Sequence, residues 1–427
     1  MSGSFLKKEG TDIILRRFVT YLDKQFEFRD RIDRLRDTRQ RPQIPTTNIW
    51  LSAFLMFVLR ARSFNALEQE LRRAKRTESF VGNRKPSADT IGRVLTRFCN
   101  EGIREVVMLI NRASWRAKAI HQRPRESFRV VAVDGHELWA GRSRCCERCQ
   151  VRELKVGNKT VKEYYHRVVV AQWVGVTPPP ILDLELVGPK EGEVTAARRL
   201  LKRVLSNYPR LIDVITADAL YLEAPFLRLV LDAGKHFIVV MKQEQRDLFR
   251  DADKLRCVVK PRLIKERNRT TQLWDITDLT SFTTLGSPVR VVWADEETVT
   301  PKIINRKRQE VIEKKTWVWV TDLPSSTIPP TKVQLWGHDR WDLENRGFNE
   351  LVTLWHMDHC FKHEANAIEA LLLTMAVAFI TTYLFYERNL KLAARRYLTR
   401  LALAARFVED LCFLNGALIW SSRQRPG

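Results

Sequence analysis

Residues 129–141 read RVVAVDGHELWAG, and the fold turns on the first half of that stretch. Val130, Val131, Ala132 and Val133 form an unbroken run of strand-forming residues, and Asp134 follows at once. Such a run marks a strand buried on both faces. A carboxylate at its tip is costly unless solvent or a cation meets it. Two readings of Asp134 follow: a solvated strand-end cap, or a ligand for something positively charged.

Working outward, FRVVAVDG is the first of five expected strands, EYYHRVVVAQWVGV the second and PPILDLELVG the third. In the third, Leu182, Leu184 and Leu186 alternate with Asp183 and Glu185, the period of two expected of a strand. A helix follows from Gly192 and Glu193 through VTAARRLLKRVLSNYP, and Pro209 stops it. LIDVITADALY is the fourth strand and ends near Asp218. APFLRLVLDAG is a second helix, with Pro225 in its first turn and Gly234 at its end, and KHFIVVMK is the fifth strand. Three strands in meander, then helix, strand, helix, strand, describe an α/β layer arrangement with a mixed five-stranded sheet. Right-handed crossovers place the fourth strand beside the first.

The flanks differ from this core. Residues 1–125 are expected to be wholly helical, with Thr46 or Thr47 and Ser87 or Asp89 as N-caps. Arg60, Arg62, Arg72, Arg73, Lys75, Arg76, Arg93 and Arg97 are placed on the polar faces. That pattern suits a DNA-docking helix-turn-helix and equally an ordinary solvated bundle. HQRPRES, around Pro124, reads as a linker. Residues 246–335 hold strand-like pieces (TQLWDITDL, SPVRVVWADE, KKTWVWVTDLP) between Pro-containing loops and read as a β-rich insertion. Helices return over residues 336–427, ending in a tail, SSRQRPG, expected to fray. The domain reading is therefore 1–125 helical, 126–245 first part of the α/β core, 246–335 insertion, and 336–427 second part of the core.

Composition narrows the partner. The chain of 427 residues carries 73 Lys and Arg against 50 Asp and Glu, a formal charge of +23. An excess of that size favours a polyanion, nucleic acid before an anionic membrane surface. The uncharged run ALLLTMAVAFITTYLFY, residues 370–386, falls just short of a membrane span and reads as a buried helix. Seven scattered cysteines are no disulfide framework and point to a reduced, cytosolic setting. The N-terminal MSGSFLKKEGTD lacks the apolar core of a signal peptide.

Asp134 and Asp218 both end apolar strands on the same side of the expected sheet. Parallel neighbours lie about 4.8 Å apart, so the two carboxylates repel unless a proton or cation sits between them. HDRWDLENRGFNELVTLWH, residues 338–356, reads as a helix with Phe348, Leu351, Val352 and Trp355 as its apolar stripe. Glu344 continues that stripe one turn earlier and is expected to face inward, with Arg340 another turn back. Arg340 is thus a partner for Glu344, or a phosphate contact at the lip of a carboxylate site.

Two further clusters combine metal-ligand residue types. In RCCERCQ, Cys146 and Cys149 form half a zinc site, with His136 or His166 as possible completing ligands; the other reading is a loop with free thiols. HMDHCFKH carries His356, His359 and His363 on one expected helix, without an HExxH pattern.

Taken in order, VAVDGHELWAG, YYHRVVVAQWVG, EGEVTAARRLL, ITADALYLEAPFLR and RWDLENRGFNELVTLWHMDHCFKH resemble the DDE transposases of bacterial insertion sequences, and KPSADTIGRVLTRF resembles their N-terminal region. The resemblance covers nearly the whole chain. It implies an RNase H-like catalytic core interrupted by the β-rich insertion, an N-terminal DNA-binding region, and Mg²⁺- or Mn²⁺-dependent cutting of phosphodiester bonds at element ends. The freed 3′-OH would then attack target DNA. By the same resemblance, Asp134, Asp218 and Glu344 hold the metal ions, Arg340 contacts phosphate and Asn345 contacts DNA. The implied partner is double-stranded DNA, bound by a homodimer in the bacterial cytoplasm at the nucleoid, with no membrane. A tyrosine–arginine–glutamate–lysine signature of this group is met only at Arg340 and Glu344, since Gly337 and Leu351 stand at the other two positions. Trp336 or His338 is a partial replacement for the tyrosine. Two other functions stay open: an RNase H-like nuclease without strand transfer, and a silent DNA-binding descendant.

Overall fold

A computed structural model describes residues 13–74, 81–242, 246–304 and 307–412 of the chain. The N-terminal stretch 1–12, Lys75, Arg76 and the tail 421–427 lie outside the described residues.

Among the described residues, six helices come first: α1 (Ile14–Phe26), α2 (Phe28–Ile32), α3 (Thr46–Val58), α4 (Phe64–Arg73), α5 (Ala88–Leu95) and α6 (Asn100–Arg116). The Ser87 hydroxyl accepts the Thr90 amide and caps α5, which decides between the two candidates there. No threonine caps α3. Pro45 precedes it, and the Thr46 hydroxyl instead donates to Asp37 Oδ2 at 2.6 Å. α3 is apolar nearly all round and buried from Ile49 to Val58, so it forms a core rather than a surface face. Arg62, Arg72, Arg73, Arg93 and Arg97 are exposed as expected. Arg60 is not: its guanidinium lies 5.2 Å from the Trp355 ring centre and donates to the Arg400 carbonyl.

The α/β part follows with β1 (Val130–Gly141), β2 (Gln150–Val156), β3 (Lys159–Val174), β4 (Ile181–Leu186), α7 (Glu193–Asn207), β5 (Val214–Ala217), α8 (Ala224–Asp232) and β6 (His236–Val240). Next come α9 (Arg246–Arg256), β7 (Arg262–Lys265), β8 (Arg269–Leu279), β9 (Val289–Ile304) and β10 (Lys307–Thr321). The chain then returns to helices with α10 (Pro330–Asp342), a π-helical turn (Leu343–Phe348), α11 (Asn349–Trp355), α12 (Ala365–Arg388), α13 (Leu392–Arg395) and α14 (Arg400–Cys412).

The five expected strands are all present, and their spatial order is β4-β3-β1-β5-β6. β1, β5 and β6 run parallel, with Val133 opposite Ala217, and β3 is antiparallel to β1. The sheet is nevertheless ten-stranded, not five-stranded. The hairpin β9–β10 docks on β6, pairing Trp319 with Val240 and Val320 with Val239, and β8 and β7 continue outward. The strands expected as a β-rich insertion over residues 246–335 thus continue the central sheet. The physical reason for their continuation is that β6 would otherwise be an open apolar edge. The carboxylate of Asp322, just past β10, strengthens this seam by accepting from the His236 ring and the Phe237 amide.

Alternation along β1 divides its residues between two cores. Val131 and Val133 pack with Ala197, Leu200 and Phe226 of α7 and α8. Val130 and Ala132 pack toward the helices that close the other face, α12 among them. By the same period of two, Asp134 points to that second face.

α12 is long and apolar enough to span a membrane, but 89 % of its apolar window is buried inside the protein. Phe385 meets Phe18 of α1 at 5.3 Å between ring centres, and Phe379 meets Trp355 of α11 at 5.6 Å. N-terminal and C-terminal helices therefore share one core. α6 joins that core to the sheet through Arg104, which pairs with Asp183 on β4 and Glu369 on α12.

Arg104 and Asp183 are 7 % and 4 % exposed, and a leucine at position 104 leaves the buried acid with Arg203 as its one remaining arginine partner among the described residues. Arg104→Leu is expected to lower unfolding stability by about 3 kcal/mol in urea titration. Glu101→Ala, whose side chain also approaches Arg104 but is 84 % exposed, should change it by less than about 0.5 kcal/mol.

Candidate active site

Asp134 is the first residue of β1 beyond its parallel pairing with β5, and Asp218 is the first residue after β5. The two carboxylates therefore leave adjacent strands at the same level. Asp218 also caps a short 3₁₀ turn, Ala219–Tyr221, by accepting the Leu220 amide at 2.5 Å. α10 crosses the face toward which Asp134 points and delivers Arg340. A single guanidinium nitrogen, Arg340 Nη1, lies 2.5 Å from Asp134 Oδ2 and 2.5 Å from Glu344 Oε1. Arg340 is buried, and its Nε makes no hydrogen bond within the protein.

The electrostatics show strain among the acids. Burial pushes the Asp134 carboxyl up to about 7; Arg340 pulls the other way, but the nearby Glu344 and Asp218 carboxylates raise it further. One arginine thus does not offset the loss of solvent plus two neighbouring negative charges. Oxygen donors held together against their mutual repulsion are what a hard divalent cation takes.

Glu344 reaches this site by a different route from the one its spacing suggests. Phe348, Leu351 and Trp355 are buried as expected, but the Glu344 side chain is 46 % exposed. Leu343–Phe348 form a π-helical turn, whose wider spacing displaces Glu344 from the apolar stripe toward the open side of Asp134. The turn sits tightly on the sheet at Gly347, where a Cβ would lie 2.5 Å from Gln172 Oε1 on β3. Asn345, in the same turn, is exposed. His136, two residues beyond Asp134, stacks on Phe348 at 4.7 Å and anchors the turn from the strand side.

The two departures from the four-residue signature have local causes. A Cβ at Gly337 would lie 2.3–2.7 Å from three atoms of the Trp319 indole, so α10 can approach β10 only with glycine there. Leu351 is fully buried, where a lysine would lack a partner. Neither suggested replacement for the tyrosine is available. Trp336 is buried and donates to Glu126 Oε2 at 3.0 Å, and His338 Nε2 contacts Glu296 Oε1 at 2.8 Å.

A residue missed in the sequence adjoins the acids. Glu193, at the start of α7, accepts from the Tyr221 hydroxyl at 2.7 Å and pairs with Arg167 at 3.2 Å. Its carboxylate lies over Gly135, where a Cβ would be 2.2 Å away. Burial, with the negative charges of Glu193, Asp134 and Asp218 around it, holds the Tyr221 hydroxyl well above its ordinary range. A glycine directly after Asp134, inside a strand, was the available signal, since strand glycines mark close approaches.

The remaining candidates lie beyond the far end of β1. Cys146 and Cys149 sit in the β1–β2 connection, and His166 of β3 faces them. His136 is not among them; it is held against Phe348. The expected histidine helix does not form, because α11 ends at Trp355 and His356 takes a left-handed conformation. Of its three histidines only His363 joins the cysteines.

Comparison with curated protein sequences finds no match. Comparison with family models matches residues 126–380 to the transposase DDE domain, more than half of the chain and the whole span that carries Asp134, Asp218 and Glu344. The chain belongs to the transposase DDE domain family, whose members recombine DNA in mobile elements.

Proposed function

We propose that this transposase cuts phosphodiester bonds at the ends of an insertion sequence and passes the freed 3′-OH strand to target DNA. The carrying observation is the gathering of Asp134, Asp218 and Glu344 with Arg340 where the parallel pairing of β1 and β5 ends. The core is read as RNase H-like, a reading supported by the strand order β4-β3-β1-β5-β6 and its mixed polarity. Residues 1–125 serve as the DNA-binding region, 246–335 extend the DNA-facing surface, and 126–245 with 336–427 supply the chemistry.

Asp134, Asp218 and Glu344 would hold divalent ions, Mg²⁺ or Mn²⁺, and their fit rests on the all-oxygen donor set and on the raised Asp134 carboxyl. The chemistry supplied by such ions is activation of the attacking water or 3′-OH and stabilisation of the leaving oxygen. Asp134 is held by β1, whereas Glu344 rides on a π-helical turn with its side chain partly open to solvent. Arg340 would turn from the two acids to a phosphate oxygen, for which its unpaired Nε is also placed. Exposed Asn345 is a DNA contact beside the site. Arg62, Arg72, Arg73, Arg93 and Arg97 supply positive charge for duplex phosphates. Two element ends brought together call for two copies of the chain, acting in the bacterial cytoplasm at the nucleoid.

Purified protein incubated with inverted-repeat DNA and Mg²⁺ is expected to give strand-joined products. Nicks alone would make it a nuclease without strand transfer, and a bound but uncut duplex would make it a silent DNA-binding protein. Asp134→Asn, Asp218→Asn and Glu344→Gln should each reduce cutting at least about 100-fold. In chelator, Asp134→Asn should unfold no earlier than the unaltered chain, because ionised Asp134 is already costly there. Cutting that survives Asp134→Asn would sink the assignment.

DNA affinity should fall steeply with salt, with a log–log slope of about −0.9 per phosphate neutralised. Arg93→Ala combined with Arg97→Ala should make that slope shallower by about 2, as titration at several salt concentrations would show. An unchanged slope would remove this face from the interface.

A further inference from the structure

The β1–β2 connection ends in a turn, Cys146-Glu147-Arg148-Cys149, whose two thiols point the same way. The turn closes through the Cys149 amide donating to the Cys146 carbonyl at 3.1 Å. The Cys146 amide donates to Cys149 Sγ at 3.2 Å. His166 Nε2 approaches from the neighbouring strand, 3.3 Å from Cys146 Sγ and 3.4 Å from Cys149 Sγ. His363 Nε2 arrives from the loop between α11 and α12 and lies 3.2 Å from Cys149 Sγ. All four donor atoms fall within 4.8 Å of one another.

The four sulfur–sulfur and sulfur–nitrogen spacings given above match edges of a tetrahedron around one ion. Bonds of about 2.3 Å to sulfur and 2.0–2.1 Å to nitrogen imply S···S edges of about 3.8 Å and S···N edges of about 3.5 Å. The observed S···S separation is 3.7 Å. It is far longer than a disulfide bond of about 2.05 Å. A hydrogen-bonded pair of thiols would account for two of the groups, but not for two imidazole nitrogens from distant segments meeting the same sulfurs. The surroundings suit a closed site. Cys149 and His166 are buried, and the Trp139 ring packs against His166 at 5.2 Å and His363 at 4.4 Å. Two thiolates also neutralise a divalent charge, which makes its burial affordable.

We propose that Cys146, Cys149, His166 and His363 bind one structural Zn²⁺. Soft thiolates with imidazole, four ligands and no free position select zinc over the hard ions that carboxylates take. On binding, each thiol releases its proton and both histidines coordinate as neutral imidazoles through Nε2. The site ties together the connection that leaves the far end of β1, its partner β3, and the loop between α11 and α12, which follows the helix after Glu344. The four ligands are therefore positioning residues, and the zinc sets where that helix ends relative to the sheet.

Elemental analysis of the purified full-length chain, dialysed against metal-free buffer after reconstitution with Zn²⁺, should find one zinc per chain. Replacement by Co²⁺ should give the intense visible bands of tetrahedral cobalt with a thiolate charge-transfer band, a readout that needs no variant and no activity. Cys149→Ser and His363→Ala should lose the metal, whereas Cys145→Ser and Cys360→Ser, thiols outside the cluster, should keep it. Cys146→His should retain Zn²⁺ with an altered cobalt spectrum. A reconstituted chain without zinc and without tetrahedral cobalt bands would overturn the site, and so would zinc that survives Cys149→Ser but not Cys360→Ser.

Discussion

One guanidinium nitrogen shared between two carboxylates governs this molecule. Arg340 Nη1 joins Asp134, inside the central strand β1 where its pairing with β5 ends, to Glu344, on the π-helical turn that follows α10. Burial pushes Asp134 toward neutrality against the pull of Arg340, and the Glu344 and Asp218 carboxylates push it further the same way. A protein folded only for stability gains nothing from such a cluster, since uncompensated buried charge is costly. The arrangement gathers carboxylates at one end of the sheet, with the Glu344 side chain 46 % exposed on its solvent side.

Much of the surrounding structure reads as support for that geometry. The parallel pairing of β1 with β5 brings two acids to the same level. Gly347 and Gly337 let the Glu344 helix lie close on β3 and β10, where any side chain would meet Gln172 or the Trp319 ring. The strands after β6 extend the same sheet, so the element between Asp218 and Glu344 is braced against the core rather than hung from it. The proposed zinc site adds a fastening at the opposite end of β1, where the loop following the helix comes back to the sheet.

Local pattern made a good part of this legible. Period-two alternation identified β1, β3, β4, β5 and β6, because which face a residue serves is settled by its immediate neighbours. The apolar run at 370–386 read as a buried helix, and α12 is indeed packed between α1, α6 and α11. Other features depend on contacts between distant segments. Arg60 looked like an outward-facing cation until Trp355 covered it. The histidines of HMDHCFKH looked like a helix face until the chain turned at His356. Whether Cys146 and Cys149 were half a metal site rested on a histidine more than two hundred positions away.

By itself the sequence determined the α/β class, the order of the strands, the basic surface and the candidacy of Asp134, Asp218, Glu344 and Arg340, because these follow from residue type and short-range period. Tertiary structure alone decided that the insertion strands join the central sheet, that Glu344 sits on a π-helical turn at the solvent side of the site, and that Glu193 covers Gly135. It also decided which histidines meet the cysteines. Each of those outcomes is a matter of which surfaces are left to be covered once the local elements exist, and covering them is a property of the packed chain rather than of any one segment.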